Sequence, residues 1–202
     1  MIRTKPEIIW LSQRNNLNAF TGELEAHNQC MIASFTMMMQ WLRRYLIENK
    51  LPSFEHYDEL THYIVVSETR ERARKLRFSS INHANKLNVM LAAKKIPFQF
   101  VSKNLDFFEV KQVVGALNTP VLIGTMETDS GHIVTYDGLI QNPYGKPENR
   151  IHSGNCKYIS VDGANLDYTD DFFRNMVFRE MKNGKTSKTN VKRLCWYIAR
   201  RG

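Results

Sequence analysis

The chain has 202 residues, enough for one domain that buries roughly 70% of its unfolded surface without staples. Hydrophobic residues make up 43% of it, aromatic residues 11% and charged residues 24%, which excludes collagen-like, fibrous and disordered classes. The net charge is +8, and seven of those charges, Lys182, Lys185, Lys188, Lys192, Arg193, Arg200 and Arg201, fall in a stretch without a single acid. Such a basic C-terminal segment (182–202) predicts an anionic partner held by screened attraction, such as a cell-envelope surface or nucleic acid, unless it is simply a solvated face.

No window reaches the ~18 consecutive apolar residues of a transmembrane segment, and the start lacks the apolar core of a targeting signal. A soluble chain, cytoplasmic as synthesised, is expected. Cys30, Cys156 and Cys195 are an odd number at wide spacing, so at least one thiol stays free.

Taken in chain order, Phe35, Met38, Met39, Leu42 and Leu46 recur at helical spacing and predict a helix over Met31–Glu48, with Cys30 at its first turn. Pro52 and Ser53 open a shorter predicted helix to Tyr63, and Ile81, Leu87, Met90 and Leu91 mark another over Ser80–Lys95. Beyond Pro97 the pattern changes. Strands are expected at Phe98–Val101, Pro120–Met126, Gly131–Gly138, Cys156–Val161 and Val191–Ala199, and helices over Leu105–Leu117 and Thr169–Lys182. Asp137-Gly138 reads as a hairpin turn, which would place Asn142 on the strand beside His132. The sum is an α+β fold: a helical N-terminal half packed on a mainly antiparallel C-terminal sheet, in one domain over 1–202.

A thiol at a helix N-terminus meets unpaired amides and the positive end of the macrodipole, which favour thiolate and make Cys30 a nucleophile candidate. Such a thiol needs a base within hydrogen-bond reach and a group to orient that base. His132, following Gly131, is the candidate base, and Asn142 the candidate orienter through its amide oxygen.

Four stretches stand in a suggestive order: Ser12 to Asn16, then Asn28-Gln-Cys-Met-Ile-Ala-Ser-Phe35, then Gly131-His-Ile-Val-Thr-Tyr-Asp-Gly138, then Asn142-Pro-Tyr-Gly145. Together they resemble the papain-like cysteine peptidases of the bacteriocin-leader-processing (double-glycine peptidase-like) type, most closely their bacteriophage cell-wall-lysin relatives. The resemblance spans about Leu11 to Val161. It implies Cys30 as nucleophile, His132 as base and then acid, and Asn142 in the orienting place where the family usually has Asp. Gln13 takes the oxyanion-hole place, although it lies farther from the cysteine than is usual, with Gln29 as fallback donor. It further implies a papain-like fold, no cofactor, and a peptidoglycan endopeptidase working through a thioester on bacterial cell wall, released at host lysis or carried in a virion.

Rival readings are a leader-processing peptidase, a thiol amidase, a basic nucleic-acid-binding module drawing also on Arg70, Arg72, Arg74, Lys75 and Arg77, and a catalytically dead scaffold. His27 reads as an exposed loop residue and His56, His62 and His83 as helix-surface residues. His152 and Cys156 form an isolated pair where zinc normally needs three or four ligands, so no metal is expected.

Overall fold

Helix α1 (Cys30–Glu48) is apolar almost all round in its N-terminal half, and such a helix must be covered on every side. In the computed structural model it is: Ala33 to Met39, Trp41, Leu42 and Leu46 are buried. The structure describes residues 8, 16–17, 24–25, 30–55, 80–125, 132–141, 147–152, 165–168, 170–182 and 185–202. Strands β1 (Asn16–Leu17) and β2 (Leu24–Glu25) form a short antiparallel ladder ahead of α1. Then come α2 (Ser80–Ala93), β3 (Phe98–Leu105), α3 (Phe107–Leu117), β4 (Val121–Thr125), β5 (His132–Gln141) and β6 (Pro147–His152). The last elements are β7 (Asn165–Tyr168), α4 (Asp170–Val177), β8 (Glu180–Lys182), β9 (Lys185–Lys188) and β10 (Arg193–Arg200).

Six strands build the central sheet in the order β3-β10-β4-β5-β6-β7, and every ladder in it is antiparallel. The α+β class therefore holds. Strand alternation sorts the apolar residues onto two faces. On one, Phe100, Leu122, Ile133, Trp196 and Ile198 pack under α1 and α2. On the other, Val121, Ile123, Val134, Tyr136 and Cys195 pack under Phe107, Val110 and Val114 of α3, with Val177 and Phe178 beside them. Helices thus cover both faces, not one, because α3 carries an apolar stripe of its own. Its start is fixed by a capping box in which Asp106 accepts from the Glu109 N–H and Glu109 accepts from the Asp106 N–H.

Several boundaries differ from the sequence reading. Residues 51–55 are not helical, and the rest of the helix expected at 53–63 lies outside the described residues, as does the strand expected at Cys156–Val161. The helix expected over Thr169–Lys182 stops at Val177, and Glu180–Lys182 pairs instead with Lys185–Lys188. His83 is buried, not on the surface, its ring edge-on to Phe35 at 4.8 Å.

The Asp137-Gly138 dipeptide is no turn. β5 runs through it as a bulge: Tyr136 pairs with Ile151 and Gly138 with Arg150, leaving Asp137 as the extra residue. Gly138 takes φ +124°, a conformation that residues with a Cβ rarely adopt. The bulge aims the buried Asp137 carboxylate at the Arg150 guanidinium, which donates from Nε at 2.8 Å and from Nη2 at 2.9 Å. The Ile8 N–H also donates to this carboxylate, at 3.1 Å.

Among the described residues no helix is long and apolar enough to cross a membrane.

Candidate functional site

α1 runs across its sheet face from the end where β5 begins towards the end where β3 begins, where Tyr45 meets Phe98 edge-on. That direction brings the first residue of the helix to the first residues of β5. Cys30 is half-buried, and its sulfur is approached by three backbone N–H groups: that of Ile133 in β5, that of Met31 and its own. Burial outweighs them and raises the thiol above its ordinary range, while the three amides pull the other way by stabilising thiolate. One turn further along α1, the fully buried Ser34 donates its hydroxyl to the Ile133 carbonyl oxygen at 3.3 Å.

His132 is the chain neighbour of Ile133 and opens β5 opposite Thr125 of β4. Only 5% of it is exposed. Desolvation depresses its imidazole to about 4, so the ring is neutral at physiological pH. By strand alternation Ile133 belongs to the face under α1, whereas His132 shares the face of Val134 and Tyr136. His132, the first residue of β5, therefore belongs to the sheet face opposite the one that α1 covers. Cys30, at the start of α1, and His132, at the start of β5, thus stand at the same end of the sheet, with the backbone of Ile133 next to the Cys30 sulfur.

With Asp137-Gly138 as a bulge, β5 continues to Gln141, and nine residue steps at about 3.3 Å each put its end roughly 30 Å from His132. The turn expected at Asp137-Gly138 is therefore not formed, and Asn142 itself lies outside the described residues. Gln13, Gln29, His27 and Cys156 also lie outside the described residues, as does the side chain of His152.

The other thiol among the described residues is a poor nucleophile. Cys195 is wholly buried in β10, and burial pushes it up to about 12. Ser34 and Ile133 were missed by sequence reasoning. The available signal was Ser34's position four residues after Cys30, on the same face of the helix.

No family model, curated protein or solved structure matches the chain.

The basic segment reads differently in three dimensions. Lys192 pairs with Glu109 at 3.0 Å and Lys188 with Glu180 at 3.6 Å. Arg193 donates to the carbonyl oxygens of Val177 and Arg179. Arg201 donates to those of Phe98 and Asn88 at 3.1 and 2.8 Å. Of the expected cationic tail, Arg193–Arg200 is an inner strand of the central sheet, Arg193 and Arg201 tie main-chain carbonyls, and Lys188 and Lys192 make exposed ion pairs.

Proposed function

We propose that the protein is a cysteine peptidase in which Cys30 is the nucleophile and His132 the general base and acid. One observation carries the reading: the thiol that opens the buried helix sits at the N–H of the residue next to a buried, neutral imidazole. The raised thiol and depressed imidazole favour a resting pair of neutral groups over an ion pair.

In the proposed reaction His132 takes the thiol proton as the Cys30 sulfur bonds to the substrate carbonyl carbon. The Cys30 N–H at the helix start is placed to donate to the developing oxyanion. The C–N bond then breaks, the imidazolium gives its proton to the leaving amine, and a thioester remains. His132 next deprotonates water, which attacks the thioester and releases the carboxylic acid and the thiol.

The substrate assignment, peptide cross-links of bacterial cell wall, rests on the four sequence stretches that resemble phage lysin-type peptidases. The basic segment lends it less than its charge suggests, since Arg193 and Arg201 are bonded to main-chain carbonyls and Lys188 and Lys192 are paired with acids. Purified sacculi incubated with the protein should release peptide fragments with new amino and carboxyl termini by mass spectrometry. Cys30→Ala should fold normally and release none. Release by the alanine variant refutes the mechanism, and fragments bearing a free lactyl group identify an amidase instead.

A further inference from the structure

Two side chains of α1, one helical turn apart, reach the same residue of β5. The Cys30 sulfur lies at the Ile133 N–H, and the Ser34 hydroxyl donates to the Ile133 carbonyl oxygen at 3.3 Å. Residues four apart share a helix face, so holding one of these contacts constrains the other. Ser34 has no exposed surface, and a hydroxyl kept in an apolar helix is costly unless it is bonded. Thr36, two residues on, is equally buried, yet its Oγ1 has no hydrogen-bond partner among the described residues, so burial alone does not direct a hydroxyl to β5.

We propose that Ser34 is a positioning residue whose bond to the Ile133 carbonyl locks α1 against β5 and so sets where the Cys30 sulfur stands relative to His132. The functional meaning of this lock rests on the peptidase reading. Without it, the first turn of α1 can shift against Ile133, which the β4–β5 ladder holds in place. The sulfur then loses the amide that β5 supplies.

The test follows iodoacetamide alkylation of Cys30 in the full chain, by mass spectrometry of its peptide, from about pH 5 to about pH 10. Ser34→Ala should move the midpoint of the profile upward and slow alkylation at neutral pH about threefold to tenfold, the worth of one hydrogen bond. Thr36→Val, which also deletes a buried hydroxyl, should leave the profile where it is. Superimposable profiles for wild type and Ser34→Ala overturn the proposal, as does an equal shift in Thr36→Val. If the alanine variant does not fold, Ser34→Cys, with position 30 resolved by fragment ions, is read by the same two outcomes. No substrate enters this measurement. A shifted profile in a protein that hydrolyses nothing keeps the lock and sinks the peptidase reading; an unshifted profile beside Cys30-dependent hydrolysis does the reverse.

Discussion

His132 links stability to pH. Its imidazole titrates at about 4 in the folded chain because it is buried, against about 6.5 when unfolded. Between those values the unfolded chain holds a proton that the folded chain lacks. Stability is therefore full above about pH 6.5 and falls as the pH drops towards 4, by on the order of 3 kcal/mol from this residue. Urea unfolding of wild type at about pH 7 and pH 4.5 should show this loss, and His132→Gln should remove most of the difference. The sequence made the places of Cys30 and His132 in the fold legible, since the start of a helix and the start of a strand are local features. It did not make the bulge at Asp137-Gly138 legible. Asp-Gly serves a hairpin turn and a bulge alike, because both exploit the backbone freedom of Gly138, and only the pairing of β5 with β6 decides between them.

At the scale of elements, α1 and α2 end in the same way. Lys50 donates its N–H to the Ile47 carbonyl and Leu51 to that of Leu46; Lys95 donates to Ala92 and Ile96 to Leu91. These are Schellman terminations with a lysine at the left-handed position, φ 55° and 56°, where glycine is the usual occupant. A Cβ there costs roughly 1–2 kcal/mol, partly offset by the greater freedom of glycine in the unfolded chain. Lys95→Gly should therefore stabilise the protein by about 0.5–1 kcal/mol, read as a higher urea midpoint at unchanged slope. The helical stripe of α1, the alternation that opens β3 and the apolar run of β4 were readable because each pattern is local, whereas the helix expected from Leu105 starts at Phe107, after Leu105 has closed β3 and Asp106 has capped α3. The early end of α4 was not readable either. Residues 180–188 carry little apolar signal, and their pairing as β8 and β9 arises from a ladder that propensity does not encode.

Across the whole molecule, the clearest gap between sequence and structure lies in the basic segment. A run of cations without acids looks like a docking tail when the chain is read linearly. Folded, it supplies an inner strand, and two of its arginines, Arg193 and Arg201, donate to the carbonyl oxygens of Val177 and Phe98 at element ends. Arg201 ties α2 to the start of β3, and its own N–H donates to Pro97. Arg201→Ala should cost about 1–3 kcal/mol of unfolding free energy, where a solvated surface cation would cost under ~0.5 kcal/mol. The sheet order also explains the site. α1 must cross the face of β10, β4 and β5 to bury its apolar surface, and that crossing delivers its first residue to the rim where β5 begins. Whether that rim is an active site is decided most directly by chemical rescue: His132→Gly assayed on sacculi with and without added imidazole. The pairing of Cys30 with His132 predicts that the variant is inactive alone and regains Cys30-dependent peptide release as imidazole is added. Undiminished release by His132→Gly without imidazole would contradict it.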